Sequence, residues 1–116
     1  MSERTKLNIF VREHLPEAEI LAQLAEEAAE LAQAALKYRR AIDKAKTNPT
    51  TTTEADAYVN LIEEAGDVIC CLGALGINLN KDRRLWNSSA VKLERWVNRL
   101  EAREREKNME EQQNEI

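Results

Sequence analysis

Apolar residues return at alternating steps of four and three along this chain, and that rhythm limits its possible folds more than any other feature. In the first long stretch Ile20, Leu24, Ala28, Leu31, Ala35 and Tyr38 recur at this spacing, which lines one face of an α-helix. Pro16 followed by Glu17 and Glu19 marks the start. Proline is tolerated in a first turn, and acids there complement the helix dipole. The helix is expected to end near Lys44. Pro49 and the run from Thr50 to Thr53 then break the pattern, and Thr51, three residues before Glu54, offers a capping box for the next helix. That helix is expected from about Glu54 to Leu75, with Gly76 as its C′ residue. It carries two apolar stripes, one through Tyr58, Ile62, Ala65, Ile69 and Leu72, the other through Leu61, Val68, Cys71 and Leu75. A helix apolar on two sides is expected to be central.

The flanks are thinner in signal. Leu7, Ile9, Phe10 and Leu15 predict a short patch of one or two helical turns. Residues 78–81 read as a connector and 82–86 as a single turn. Asn87, Ser88 and Ser89 then offer caps for a third long helix bearing Ala90, Leu93, Val97 and Leu100. From Arg103 onward the chain is polar and charged, and residues 103–116 are expected to fray or be disordered. With three glycines, two prolines and 4% aromatics, turns and strand formers are too few for an all-β chain. The expected fold is all-α: an antiparallel helical bundle over residues 1–102, built on a long two-helix hairpin plus a third helix. A chain of 116 residues makes one domain with a modest core. A hairpin with two apolar faces needs further cover, so a homodimer or homotetramer is expected.

Charge excludes some partners. The net charge is −4, whereas nucleic acid demands a basic face, so no nucleic acid is expected. Residues 1–80 carry 13 acids against 8 bases, while residues 81–107 carry 5 acids against 9 bases. There is no 18-residue apolar run to span a membrane, and the opening residues lack the apolar core of a signal peptide. Cys70 and Cys71 are neighbours and cannot staple distant segments. Reduced thiols and a cytoplasmic location are therefore expected.

The acids themselves are the informative residues. Glu26, Glu27 and Glu30 crowd one turn of the first long helix, and Glu63, Glu64 and Asp67 crowd one turn of the second. Like charges at i,i+4 destabilise a helix, and no Lys or Arg stands three or four residues from any of the six. Glu64 interrupts the stripe between Leu61 and Val68, and Glu27 flanks the one through Leu24 and Leu31. Charges at the edge of a core must be paired, protonated or coordinated. At ~1.5 Å of rise per residue, the Glu27/Glu30 midpoint lies ~23 Å before Lys44 and the Glu64/Asp67 midpoint ~17 Å after Glu54. In an antiparallel hairpin the four carboxylates would converge. Oxygen donors alone call for a hard cation: Mg²⁺ first, with Mn²⁺ possible.

The run Leu24-Ala25-Glu26-Glu27-Ala28-Ala29-Glu30-Leu31, with Leu61-Ile62-Glu63-Glu64-Ala65-Gly66-Asp67-Val68 on the next helix, resembles the MazG-like all-α NTP pyrophosphohydrolases. Their hallmark is EExxE followed on the next helix by ExxD. The resemblance covers about residues 16–100. It implies hydrolysis of a nucleoside triphosphate to a monophosphate and pyrophosphate, with Glu27, Glu30, Glu64 and Asp67 as Mg²⁺ ligands and Glu26 as candidate general base. The 33 residues between Glu30 and Glu64 exceed the spacing of compact members, because of the loop around Pro49. Similar loops occur in MazG-like proteins of phages and their hosts.

A triphosphate also needs cations. Lys37 lies seven residues after Glu30 on the same face, and Lys92, Arg95, Arg99 and Arg103 form a basic stripe on the third helix. Lys37, Lys92 and Arg95 are the candidate substrate contacts, and the segment around Lys92 loosely resembles the phosphate-contacting segment of MazG proteins. Trp86 and Trp96 fit packing better than base stacking. Two other functions are compatible with these residues: a phosphoribosyl-ATP pyrophosphatase on the same fold, and a non-catalytic helical assembly module.

Overall fold

The computed structural model describes residues 1–115. Its helices are α1 (Glu3–His14), α2 (Glu17–Ile42), α3 (Glu54–Ala74) and α4 (Arg83–Asn114), and no strand occurs among the described residues. The fold is all-α. The chain divides into two compact units, Met1–Asn78 and Leu79–Ile116.

In the first unit α2 and α3 form an antiparallel hairpin. Tyr38, near the end of α2, and Tyr58, near the start of α3, meet with ring centroids 5.7 Å apart and a tilt of 55°. The residues buried in this unit are mostly small: Ala34, Ala41, Ala57, Cys71 and Ala74, with Ile20 as the one large side chain among them. Small side chains let two helix backbones approach closely, at the cost of a thin core.

The packed seam of α2 runs through Ile20, Leu24, Glu27, Leu31, Ala34, Tyr38 and Ala41, all buried or half-buried. Ala28 and Ala35, placed on the apolar stripe from spacing, are exposed instead. The four-three rhythm is right, but its register takes in Glu27 and Ala34 in their place. A search for an unbroken apolar stripe steps around a carboxylate that the helix in fact turns inward. On α3 the stripe through Leu61, Val68, Cys71 and Leu75 is inward, whereas Tyr58 and Ile62 remain about half exposed.

Local chemistry sets the helix ends. Ser2 caps α1, its Oγ accepting from the Thr5 N–H at 3.1 Å. The helix extends over twelve residues, longer than the one or two turns expected from its sparse apolar positions. Leu15 is extended (φ −129°, ψ 129°), as the residue before a proline must be, and this separates α1 from α2. At the start of α3 the cap is Thr53, which accepts from the Asp56 N–H at 3.2 Å, and not Thr51. The acid three residues beyond Thr53 is Asp56, so the same cap logic holds two residues later. The end of α3 is a Schellman turn: the Gly76 N–H donates to the Gly73 carbonyl and the Ile77 N–H to the Leu72 carbonyl, each at 2.9 Å, with Gly76 at φ +86°. α1 lies over this end, with the Asn8 amide above Gly73 and the Arg12 guanidinium above Gly76.

The second unit consists of a short lead-in and α4. Asp82 caps the helix, its Oδ1 accepting from the Arg84 N–H at 3.0 Å and the Leu85 N–H at 3.3 Å. The single turn expected over 82–86 is therefore the first turn of α4, and Asn87, Ser88 and Ser89 lie inside the helix. The stretch from Arg103, expected to fray, continues α4 as far as Asn114; Ile116 lies outside the described residues. Glu, Arg, Lys, Gln and Met dominate there, and these unbranched side chains have high intrinsic helix propensity. Lack of an apolar stripe says nothing against helix itself, only against burial. No helix among the described residues is long and apolar enough to cross a membrane.

Two glycines on α3 and its cap should respond to alanine with opposite sign. At Gly76 a Cβ would sit 2.9 Å from an Arg12 nitrogen at positive φ, so Gly76→Ala is expected to lose about 1–2 kcal/mol. At Gly66 a Cβ meets nothing within 4 Å, so Gly66→Ala is expected to gain up to about 1 kcal/mol from helix propensity. Urea unfolding of both variants checks the pair.

Candidate metal centre

Glu27 and Glu30 stand one turn apart on α2, and Glu64 and Asp67 one turn apart on α3. Where the antiparallel helices pass each other, one carboxylate oxygen from each of these residues lies within 4.8 Å of all the others. Helix geometry alone aligns the members of each pair. Only the pairing of α2 with α3 brings the two pairs together. Glu27 and Glu64 are half-buried on the seam, and Glu30 and Asp67 are exposed at its edge.

Satisfaction of these oxygens is incomplete. Glu27 Oε1 accepts from Gln23 Nε2 at 2.8 Å. Among the described residues, Glu27 Oε2 and Glu64 Oε2 are buried and have no hydrogen-bond partner. Among the described residues no Lys or Arg forms an ion pair with any of the four. A buried carboxylate oxygen without donor or cation is costly, so these two oxygens are incomplete as they stand.

Electrostatics reflect the crowding. The Gln23 hydrogen bond favours ionised Glu27, but partial burial and the charges of Glu30 and Asp67 outweigh it and raise its pKa above 4.5. The neighbouring Cys71 thiol is pushed up too, first by burial and then by Cys70 and the carboxylates of Glu27 and Asp67. The four residues whose donor atoms gather are all carboxylates. The donor set is thus oxygen alone, which suits Mg²⁺ or Mn²⁺.

The remaining sequence-derived residues lie elsewhere. Glu26 is exposed beside Glu27, outside the cluster of four, and Glu63 is exposed beside Glu64. Lys37 is exposed on α2, two turns beyond Glu30, and forms no ion pair among the described residues. Lys92 and Arg95 are exposed on α4, in the second compact unit. One residue that sequence reasoning overlooked is Gln23, which orients Glu27. Its signal was available in the i,i+4 spacing of Gln23 and Glu27, a pairing that favours side-chain hydrogen bonds on a helix.

The raised pKa of Glu27 has a consequence for stability. A carboxyl that binds its proton more tightly folded than unfolded stabilises the fold most below its unfolded value. That contribution is lost as pH rises from about 4.5 through the raised folded value. Metal-free protein should therefore lose stability on going from mildly acidic to neutral pH, and Glu27→Gln should flatten the slope. Urea midpoints across that range, in chelator, test it; an unchanged slope in the variant would count against the crowding described.

Compared with family models, curated proteins and solved structures, the chain matches none.

Proposed function

We propose that this protein is a magnesium-dependent nucleoside triphosphate pyrophosphohydrolase, converting an NTP or dNTP to the monophosphate and pyrophosphate. The single observation that supports the reading most is the gathering of Glu27, Glu30, Glu64 and Asp67 within 4.8 Å, with buried, unpartnered oxygens on Glu27 and Glu64. A structural acid cluster would be expected to recruit arginines or hydrogen-bond donors. Among the described residues this one has a single donor, Gln23, and leaves its remaining lone pairs for a cation.

Glu27, Glu30, Glu64 and Asp67 would hold Mg²⁺ between α2 and α3. When bound, the cation offsets the charge of the phosphates and acidifies a coordinated water. The chain's own groups do the rest. Glu26, exposed one residue before the ligand Glu27, would take the proton of the attacking water as its oxygen bonds to the α-phosphorus. The α–β anhydride bond breaks, and its electron pair leaves with pyrophosphate. Lys37, exposed on the same helix as Glu27 and Glu30, supplies a cation that would stabilise the departing charge. A phosphoribosyl-ATP substrate would use the same centre and differs only in what lies beyond the phosphates.

Assembly belongs to the same proposal. Large apolar side chains on α2 and α3, including Leu21, Val59 and Ile62, are each about half exposed, and a hairpin with so thin a core favours pairing as a homodimer or homotetramer. The adjacent free thiols, Cys70 and Cys71, fit a reducing compartment such as the cytoplasm.

Glu64→Gln should lower pyrophosphate release by about 100-fold or more, since even groups one layer out from a metal cost about 10–100-fold when removed. Its helical circular dichroism should match that of the unaltered protein. A panel of ribo- and deoxynucleoside triphosphates with phosphoribosyl-ATP identifies the substrate, and undiminished release in Glu64→Gln would refute the assignment. Separately, Mg²⁺ should raise the melting temperature of the unaltered protein and leave that of Glu27→Gln unmoved. A non-catalytic assembly module would show no such shift in either.

A further inference from the structure

A second concavity lies at the far end of α2. It has a volume of about 660 Å³ and is lined by Leu36, Arg39, Arg40, Ile42, Lys44 and Asn48, together with Asp43 and Thr47 of the turn that follows the helix. Arg39 is nine residues past Glu30, about 13.5 Å along the helix axis, so this is a site apart from the carboxylates. Cations in a last helical turn commonly do no more than complement the helix dipole. Three observations take this group further.

First, the acid in the wall is already engaged. Asp43 Oδ1 accepts from the Ala45 N–H at 3.0 Å, and its Oδ2 accepts from the Thr47 N–H at 3.2 Å and the Thr47 hydroxyl at 2.7 Å. The Thr47 hydroxyl above all, with these backbone donors, holds the Asp43 carboxyl below its usual pKa. Among the described residues Arg39, Arg40 and Lys44 form no ion pair. Second, the same bonds hold the turn in shape, including Lys46 in the left-handed region at φ 54°, so one wall of the cavity is set before any ligand arrives. Third, part of the lining is apolar: Leu36 is 52% and Ile42 42% exposed. A volume of this size is ordinary for a small-molecule site.

We propose that this cavity binds the phosphate monoester of a small organic molecule, with Arg39, Arg40 and Lys44 on the phosphate and Leu36 and Ile42 under the organic half. Three cations less the Asp43 carboxylate leave a local charge of +2, matching the −1.5 to −2 of a phosphomonoester near pH 7. A monocarboxylate would leave a cation uncompensated. The planar guanidinium fork also fits phosphate oxygens in pairs.

The test is an amide-resonance titration of the full chain in chelator, where the carboxylate centre holds no metal and repels anions. Its outcome is therefore independent of the hydrolysis proposal. The probes are phenyl phosphate, inorganic phosphate and phenol. Phenyl phosphate should shift amides across residues 36–48 saturably, inorganic phosphate should bind about tenfold more weakly, and phenol should not bind. Arg39→Gln with Arg40→Gln should weaken phenyl phosphate by about tenfold or more, the factor that loss of a charge-assisted hydrogen bond implies. Arg4→Gln, remote on α1, should leave it unchanged. Absence of saturable shifts in that segment, or equal affinity in the double variant, would overturn the site. Equal affinity for inorganic phosphate would overturn the role of Leu36 and Ile42.

Discussion

Two carboxylates turned inward on a helix hairpin are the constraint around which the first unit is organised. Glu27 occupies a position on the α2 seam that its neighbours at steps of four and three fill with Leu24, Leu31 and Ala34, and Glu64 does the same on α3. An apolar side chain at either place would thicken the core. The acids instead leave a buried oxygen each without a partner, and the fold gives up stability locally to keep them. Helices this long can absorb such a cost, because the rest of the seam is regular.

The alanines make the meeting possible. Ala34, Ala41, Ala57 and Ala74 are buried, and side chains of one carbon allow the helices to close until carboxylates from both sides fall within 4.8 Å. Larger residues at these levels would hold α2 and α3 apart and separate the acids. Register along the hairpin is then governed by its ends. Tyr38 meets Tyr58, Asp43 ties the turn that leaves α2, and Thr53 caps the helix that returns. The same turn that fixes the register also lines the basic cavity, and α2 carries acids midway along its length and cations at its close.

Much of this was legible in the residues. The four-three rhythm located α2 and α3 to within about two residues, and Pro16 and Gly76 marked a start and a stop through backbone chemistry that needs no partner. The acid trios stood out because no base was near enough in sequence to relieve them. Where the reading went astray, the cause was a competing local choice. Thr53 and Thr51 are equally good caps by composition, and Asp82 pre-empted three later polar residues that would have served as well. The polar stretch after Arg103 lacked an apolar stripe, yet propensity alone carries helix through it.

The sequence by itself determined the all-helical class, the helix start after Pro16 and the stop at Gly76, and which acids share a turn. These depend on contacts within four residues, which spacing specifies directly. Only the tertiary structure decided that the α2 seam passes through Glu27 and Ala34 instead of Ala28 and Ala35, and that all four carboxylates meet. A rotation of one helix about its axis by a single position changes the burial of every residue on it, and the choice among rotations is made by the partner helix. The basic cavity beside the closed Asp43 turn likewise came into view only once side chains had places in space.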